Sequence, residues 1–270
     1  MQEEKKLSEI ENQYGTGIFQ GFGALIERQV KDWYKSPLLF VLTLVQPAIW
    51  IILYGKSFPL ISIPGFTGSY FSFLSVGMLG FVVLFASIYS GMNIVFDRQK
   101  GVLKKMLVTS TARGSIIMSY VISNLFKALV QVAILIAVAV ALGMQTSRIN
   151  AVGLTGAFAA EALLAVGLSA FFTMIGVFSA DPNVQLAVMS FISLPLLFAS
   201  NSLFPTSAMP TWLQDVAKAN PLSYASDAAR QTLLGASGMT SLMFDFVFLV
   251  VFAVVLSALS IILSLKFLSK

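Results

Sequence analysis

Six long apolar stretches alternate with polar segments along the chain. A helix needs roughly 20 residues, at about 1.5 Å per residue, to cross about 30 Å of hydrocarbon. The pattern therefore predicts an all-α, polytopic membrane protein whose six transmembrane helices lie in one domain, residues 37–270. The first span contains Gln46-Pro47, which predicts a kink or a protein interface. The six spans cover about residues 38–54, 70–96, 115–142, 151–178, 184–203 and 242–265.

The segment before the first span has a different pattern. Residues 1–17 are charged or small, and we expect them to form a mobile cytoplasmic N-terminus. In residues 18–36 the apolar side chains fall on one half of a helical wheel and the charged side chains on the other. Trp33 and Tyr34 suit the lipid headgroup layer, because each ring is apolar with one polar tip. This segment is predicted to be an amphipathic interfacial helix.

The connection between the second and third spans, residues 97–114, is the long charged segment enclosed by apolar runs. It carries five basic residues and a single acid, Asp97. At 100° per residue, one arc of about 140° holds the apolar side chains and excludes the lysines, which indicates a short amphipathic helix at the membrane face. This helix either anchors the loop or docks a partner protein. The apolar residues of the arc are Val102, Leu103, Met106 and Leu107.

Lysine and arginine are distributed unevenly between the two sides of the predicted membrane domain. Twelve lie in the termini and in the loop 97–114, four lie on the opposite side, and Lys127 is inside the third span. Short loops rich in lysine and arginine stay in the cytoplasm. The distribution therefore predicts a multi-pass protein of the cytoplasmic membrane with both termini in the cytoplasm.

The connection over residues 204–241 is the only long one on the external side. Two short helices are predicted there, one ending at Asn220-Pro221 and the next ending at Gly235. Irregular backbone at membrane depth must be shielded from lipid, so this re-entrant-like helical segment either closes the outer end of a pathway or covers the spans. The residues predicted to form an external gate are Trp212, Asn220, Pro221 and Tyr224.

Composition narrows the chemistry that the chain can perform. Apolar residues make up 57% and charged residues 11%, whereas soluble domains carry about 25% charged residues. The chain has no cysteine and no histidine, which excludes thiolate and imidazole catalysis and the usual Cys/His metal sites. It also lacks the G-x-x-x-x-G-K-[ST] motif that cradles ATP phosphates. We therefore expect no enzymatic activity, cofactor or metal on this chain, and no nucleic-acid partner.

Glu161 is predicted to lie near the middle of the fourth span, where a charge is costly and usually functional. If the chain is a transporter, its energy comes from a partner or from an ion gradient, and Glu161 could carry protons in an ion-coupled secondary transporter. The structural interpretation gives it hydrogen-bond partners across a dimer or on the third span, or places it near the outer interface. Those candidate partners are Asn124, Lys127 and Gln131.

Small and polar residues on the second and fifth spans are the candidates for a route through the membrane. Asn93 and Asn201 are the polar members that we single out, together with Glu161. Small residues also let helices approach closely without lining anything. Both interpretations remain open from the sequence.

Two segments resemble a known family. FDRQKGVLKKMLVTSTARG, at 96–114, is similar to the acidic-basic-x-x-Gly-x-hydrophobic-x-x-hydrophobic-x-Thr pattern of permease subunits of type-2 ABC exporters. MPTWLQDVAKANPLSYASDAAR resembles the external segment of the same family, most closely in the daunorubicin-resistance group. The two motifs lie after the second span and between the fifth and sixth spans, as in the family. Asp97 stands where a Glu is common, and Ser110 where a Pro often follows the Thr.

The resemblance implies a homodimer of permease chains that exports a drug-like, lipid or lipid-linked amphipathic substrate. Two ATPase subunits, which hold ATP and Mg²⁺, would dock on the cytoplasmic coupling helix of loop 97–114. Leu103 and Leu107 would be its apolar anchors, while Arg98 and Lys104 would pair with acids on the ATPase or with lipid phosphate. The full set of implied coupling residues is Asp97, Arg98, Gly101, Leu103, Lys104, Leu107 and Thr109.

Overall fold

The computed structural model describes residues 18–35, 37–57, 68–108, 113–145, 149–179, 181–236 and 238–268. These residues form ten α-helices and one 3-10 turn, Thr206–Ala208, and contain no β-strand. The all-α prediction is therefore confirmed. The helices are α1 (Ile18–Tyr34), α2 (Pro37–Ser57), α3 (Tyr70–Gln99), α4 (Val102–Val108), α5 (Arg113–Ala141), α6 (Ala151–Phe178), α7 (Pro182–Phe198), α8 (Thr211–Ala219), α9 (Pro221–Leu234) and α10 (Leu242–Leu268).

Helix α3 is the centre of the bundle. Its most apolar stretch of eighteen residues is 94% buried inside the chain, and it packs against α2, α5, α6, α7 and α9. Ser69 caps its first turn by accepting a hydrogen bond from the Ser72 backbone N–H. The small residues of this helix are therefore enclosed by the chain itself. They bring helices together within one chain, and the prediction that some of them line a route stays a prediction.

A polar ladder joins α3, α5 and α6. Asn124 of α5 donates to Ser169 Oγ of α6 at 2.7 Å, and Ser169 Oγ lies 3.3 Å from Ser87 Oγ of α3. One turn along, Ser90 Oγ lies 3.0 Å from Thr173 Oγ1 of α6. Hydrogen bonds between helices within a membrane contribute roughly 0.6 kcal/mol each on average, so several of them fix the relative positions of these three helices.

Glycines allow α3 and α6 to touch along their backbones. A Cβ atom on Gly176 of α6 would lie 2.5 Å from the carbonyl oxygen of Gly91. A Cβ atom on Gly91 would lie 2.4 Å from the carbonyl oxygen of Phe172. Neither position can hold a side chain without moving a backbone, so this crossing requires glycine on both helices.

Four helices within the described residues are long and apolar enough to cross a membrane. They are Tyr70–Gln99, Gly114–Ala141, Ala151–Phe178 and Leu242–Phe267, and they correspond to the predicted second, third, fourth and sixth spans. The chain is therefore a polytopic membrane protein. The predicted first span coincides with α2, which contains Pro47, and the predicted fifth span overlaps α7. The total of six spans stays a prediction.

The fifth predicted span was placed too far along the chain. Helix α7 ends at Phe198, and residues 199–203 form a turn that the hydropathy pattern had included in the helix. Pro195 precedes this end and removes one helical hydrogen bond. The seventeen residues of α7 rise about 26 Å at 1.5 Å per residue. Asn201 therefore belongs to a turn and not to a transmembrane helix.

The predicted coupling helix and the predicted external segment lie at opposite ends of the bundle. The α4 end carries α1, α4 and the C-terminal turns of α3, α6 and α10. The α9 end carries α8, α9 and the N-terminal turns of α3, α6 and α10. The loop predicted over residues 97–114 is shorter in the structure, because α3 continues through Asp97 and Arg98 to Gln99 and α5 begins at Arg113. Residues 1–17 lie outside the described part of the chain.

Candidate functional site

Two features position helix α4: the turn that precedes it and its own apolar face. Gly101 follows α3 with φ of +71°, a left-handed conformation that glycine adopts without steric cost. Leu103 and Met106 are 3% and 7% exposed. They pack against Ile94, Val95, Ile116, Ile117, Tyr120 and Val177 of the bundle. The short helix is therefore held against the ends of α3, α5 and α6.

The exposed face of α4 is basic. Lys104 and Lys105 are exposed, as is Lys100 just before the turn. The sequence-based interpretation of Leu103 as an anchor inserted into a partner does not fit this geometry, because Leu103 is buried in its own chain. The physical reason is that the apolar stripe of a short surface helix packs on the nearest apolar surface, which here is the bundle. The Leu107 side chain and Thr109 lie outside the described part.

Asp97 joins three helices at the α4 end. Its carboxylate accepts hydrogen bonds from Arg28 Nη2 of α1 at 2.5 Å and from Arg28 Nη1 at 3.3 Å. The Tyr120 hydroxyl of α5 donates to the same carboxylate at 2.5 Å. Asp97 is thus held by an ion pair and a phenol, and α1 is tied to the last turn of α3.

Gln29 makes a second connection between α1 and α5. Its amide nitrogen donates to Ser119 Oγ at 3.2 Å, and its amide oxygen accepts from Ser123 Oγ at 2.6 Å. Gln29 is 5% exposed, so both bonds are shielded from water. The outer face of α1 carries the exposed Glu27–Lys31 pair, whose hydrogen bond holds the pKa of Glu27 below its usual value. Helix α1 therefore carries polar side chains on its buried face and on its outer face, and the buried face is bonded to α5.

Arg98 binds the end of α6 in its own chain. Its guanidinium donates to the carbonyl oxygens of Val177 at 3.1 Å and Ser179 at 3.4 Å, which lie at the C-terminal end of α6. It also lies over the Phe267 ring of α10, 5.6 Å from the ring centre. Both bonds use Nη1 and Arg98 is only half-buried, so its pairing with acids on an ATPase or with lipid phosphate stays a prediction. A cation at a helix C-terminus is stabilised there by the unpaired carbonyls and the helix dipole.

The predicted gate residues at the α9 end have distinct structural positions. Asn220 accepts from the Leu222 N–H and so caps α9, which begins at Pro221, while its amide nitrogen donates to the carbonyls of Leu196 and Ala199. The Tyr224 hydroxyl donates to the Lys218 carbonyl. Trp212 is 66% exposed on α8. The structure thus brings Asn220 to the end of α7 and leaves Trp212 on the surface.

Arg230 of α9 is a residue that the sequence analysis missed. It is 1% exposed, and its guanidinium donates to the carbonyls of Phe73, Asn201 and Ser202 at 2.8 to 3.1 Å. It also lies 3.5 Å from the centre of the Phe73 ring. The signal in the sequence was a lone arginine on a helix between apolar spans, which the charge count assigned to an external loop.

Gly77 makes room for this contact. A Cβ atom at position 77 would lie 2.0 Å from the Ser202 carbonyl oxygen and 2.3 Å from Arg230 Nη2. Asp227, one turn before Arg230, accepts from Asn201 Nδ2 and from the backbone of Met239 and Thr240. Burial raises the pKa of the Asp227 carboxyl, while the backbone hydrogen bonds lower it.

Glu161 does not have the partners that were predicted for it on α5. It is fully buried, and neither carboxyl oxygen has a hydrogen-bond partner among the described residues. Asn124 bonds to serines, and Gln131 donates to Thr43 Oγ1 of α2. These α5 residues do not bond to Glu161, and the alternative of a partner across a dimer stays a prediction.

The two remaining pathway candidates differ in position. Asn93 is half-buried on α3, near the α4 end. Asn201 is 3% exposed in the turn after α7 and accepts from Arg230 through both its backbone and side-chain oxygens. The structure brings Asn201 next to Ser223 and Asp227 of the external segment, and it does not bring Asn93 to that cluster.

Comparison with known proteins gives a consistent result. The family described as "ABC-2 type transporter" matches residues 20–234. A "putative transport permease ycf38" of Pyropia yezoensis is 31% identical over 229 residues, covering 80% of this chain and 75% of the relative. The "daunorubicin resistance ABC transporter permease protein DrrB1" of Streptomyces coeruleorubidus is 24% identical over 210 residues, covering 78% and 70%. "Nodulation protein J" of Rhizobium leguminosarum bv. trifolii is 27% identical over 223 residues, covering 78% and 80%.

Proposed function

Because this chain belongs to the ABC-2 type transporter family of membrane permeases, we propose that it exports an amphipathic compound across the cytoplasmic membrane. Permeases of this family work with separate ATPase subunits. In the proposal both termini and α4 face the cytoplasm, in agreement with the excess of lysine and arginine on that side. ATP and Mg²⁺ bind the ATPase subunits and not this chain.

The observation that carries the proposal is that α4 has one apolar face buried in the bundle and one basic face exposed. Its apolar side chains, Leu103 and Met106, are buried in the bundle, while Lys104 and Lys105 are exposed. A helix held in this way transmits a push from outside to α3 and α5, because it cannot move without them. The ATPase is expected to meet it with acidic side chains, since opposite charges across an interface favour docking and specificity.

In the proposal, helix α1 moves together with α4 and the adjoining ends of α3 and α5. Arg28 and Gln29 connect it to Asp97, Ser119 and Ser123, so α1 follows the ends of α3 and α5. An ATPase that contacts α1 or α4 acts on the same body. In the proposal, Asp97 contributes to coupling by joining α1 to α3 inside the chain, and Lys104 contributes by contacting the ATPase at the surface.

We also propose that two copies of the chain assemble with two ATPase subunits. The second copy would cover apolar residues that one chain leaves exposed, notably along α7, where Phe191 is 80% exposed. The substrate class is drug-like, lipid or lipid-linked, and the similarity to a daunorubicin-resistance permease favours a drug-like compound.

The proposal is tested by reconstituting the purified chain with the cognate ATPase in proteoliposomes. We expect transport of a fluorescent anthracycline or a fluorescent phospholipid that needs ATP and the ATPase and is unaffected by a protonophore. Transport that continues without the ATPase would contradict the proposal. Transport abolished by the protonophore alone would favour the second candidate, an ion-coupled carrier, which rests on the buried and unpartnered Glu161.

A further inference from the structure

Helix α9 is enclosed by its own chain. All of its residues except Gln231 and Thr232 are buried, and it packs against α3, α6 and α10. A surface helix normally buries one stripe and leaves the opposite face to solvent or lipid. Because α9 has no open face among the described residues, it has no side toward which it can swing without displacing one of these three helices.

Glycines on two of these helices let α9 approach at backbone distance. On α6, a Cβ atom at Gly153 would lie 2.3 Å from the Thr232 carbonyl oxygen, and one at Gly156 would lie 2.6 Å from Thr232 Cγ2. On α3, a Cβ atom at Gly80 would lie 2.9 Å from Leu222 Cδ1. Leu222 is in the first turn of α9 and Thr232 is in its last turn. The glycine contacts therefore hold α9 near both of its ends.

Hydrogen bonds add to this packing. Arg230 donates to the Phe73 carbonyl in the first turn of α3 at 3.1 Å, and Gln231 donates to Asp245 of α10 at 2.7 Å. The turn after α7, residues 199–203, is bonded to α9 at several places. Helix α9, this turn and the adjoining turns of α3, α6 and α10 thus form one closely packed body.

Helix α8 has the opposite character. Ala217 is its only buried residue, and among the described elements it packs mainly against the 3-10 turn Thr206–Ala208. Trp212 and Val216, one turn apart on the same face, are 66% and 47% exposed. Little of α8 would therefore have to be uncovered if this helix changed its position.

Both ends of α8 are proline junctions. Pro210 stands before its first residue, and Pro221 begins α9 directly after Asn220, whose ψ of 119° is extended. Proline donates no backbone hydrogen bond, so the helical pattern is interrupted between α8 and α9. The Tyr224 hydroxyl of α9 donates to the Lys218 carbonyl in the last turn of α8. A rotation of α8 about this junction would leave the packing of α9 on α3 and α6 unchanged.

We propose that α8 is the part of the external segment that moves during transport and that α9 is a fixed wall of the bundle. The predicted gate residues then divide between the two. Trp212 moves with α8, whereas Asn220, Pro221 and Tyr224 keep their positions. The inference deepens the proposed function, on which it rests for the ATP-driven step that moves α8.

A disulfide between α6 and α9 tests whether their contact stays closed. The chain has no native cysteine, so Gly156→Cys with Thr232→Cys gives one defined cross-link. A Cβ atom at position 156 would lie 3.1 Å from Thr232 Cβ, close to the roughly 3.5–4.5 Å between the Cβ atoms of a disulfide. We expect the oxidised complex to keep more than about half of the ATP-driven transport of its reduced form. A larger loss on oxidation that reduction restores would overturn the fixed position of α9.

Ser202→Cys with Ser226→Cys provides a second cross-link that needs no substitution of a packed glycine. The two hydroxyl oxygens lie 2.8 Å apart, and the bond joins α9 to the turn after α7 within the same fixed body. The oxidised form is again expected to keep more than about half of the transport. Loss of transport in this variant on oxidation, or no cross-link in the folded protein, would contradict the proposal.

Labelling of single cysteines with a water-soluble maleimide locates the movement. Val216 on α8 is 47% exposed, and Val152, in the first turn of α6 at the same end of the bundle, is 78% exposed. Between the nucleotide-free and the vanadate-trapped complex, we expect the labelling rate of Val216→Cys to change at least about threefold. The rate of Val152→Cys, the matched control on the fixed body, should stay the same. A constant rate at position 216, or an equal change at both positions, would overturn the proposal.

Hydrogen exchange of the permease alone separates this inference from the proposed function, because it needs neither ATP nor the ATPase. Amides of α9 are expected to exchange at least about tenfold more slowly than those of α8, since segments enclosed by packed structure open less often. Equal exchange in the two helices would overturn the inference and leave the proposed function standing. A chain that shows this difference but no ATP-driven transport would refute the proposed function and still support the fixed position of α9.

Discussion

Arg28 and Asp97, 69 residues apart in the chain, form a two-bond ion pair that fastens α1 to the last turn of α3. The pair lies at the edge of the bundle, where the Arg28 side chain is 31% exposed and that of Asp97 is 15% exposed. Tyr120 shares the Asp97 carboxylate. The amphipathic N-terminal helix is therefore part of the same body as α3 and α5.

Arg28→Gln is expected to loosen α1 without unfolding the bundle. Because the pair is partly exposed to water, we expect a loss of only about 1 kcal/mol of stability, visible as a small fall in the melting temperature. Stimulation of the ATPase by the permease should fall more strongly. Lys31→Gln, which breaks only the exposed pair with Glu27, is the control and should change neither. Full stimulation by the Arg28 variant would show that α1 takes no part in coupling.

Gly77→Ala is expected to disrupt the α9 end. The added Cβ would lie 2.0 Å from the Ser202 carbonyl oxygen, so the turn after α7 or the Arg230 side chain must shift, at a cost of about 1–3 kcal/mol. In α1, the Cβ added by Gly23→Ala would meet no atom of the described residues within 4 Å, so this variant should stabilise its helix by about 0.5–1 kcal/mol. Melting temperatures that moved the same way in both variants would contradict the packing described for Gly77.

Leu103→Ala is expected to destabilise the attachment of α4. Leu103 is 3% exposed among the residues of the α4 end, and truncating a buried leucine costs about 2–5 kcal/mol. Lys105→Gln, on the exposed face of the same helix, should change stability by less than about 0.5 kcal/mol. Thermal unfolding of the two variants checks the difference. Equal stability would mean that α4 does not pack on the bundle as described.

Gly101→Ala is expected to change the angle between α3 and α4. A residue with a Cβ atom pays roughly 1–2 kcal/mol in the left-handed region that Gly101 occupies with φ of +71°. An added Cβ would meet no atom of the described residues within 4 Å apart from its chain neighbours, so the effect comes from the backbone and not from a clash. ATPase stimulation should fall, whereas Gly114→Ala in α5 should leave it unchanged. Normal coupling in the Gly101 variant would show that the angle is not critical.

Hydrophobicity and charge predicted much of the architecture because both are local properties of the sequence. The all-α fold follows from apolar stretches about 20 residues long, and α4 follows from the spacing of Leu103 and Met106. Hydropathy also misplaced one boundary, since residues 199–203 carry no charge and so did not mark the point where the helix α7 ends. Pro195 gave the local hint of that end.

Side-chain partners could not be predicted in the same way. Arg98 and Lys104 look alike in sequence, yet one caps α6 and the other is exposed. Arg230 is separated from its acceptors by many residues along the chain, and most of these acceptors are backbone carbonyls, which carry no sequence signal. Amphipathicity shows that a helix has an apolar face, but it does not show whether that face packs on its own chain or on a partner.

The most direct test of the central claim reverses the charge on the exposed face of α4. Lys104→Glu with Lys105→Glu leaves the buried face intact, so the melting temperature should stay within a few degrees of wild type. ATP hydrolysis by the reconstituted ATPase should then lose its stimulation by the permease at least about tenfold, because acidic side chains would repel each other across the interface. Wild-type stimulation by this folded double variant would contradict the claim that an ATPase drives the permease through α4.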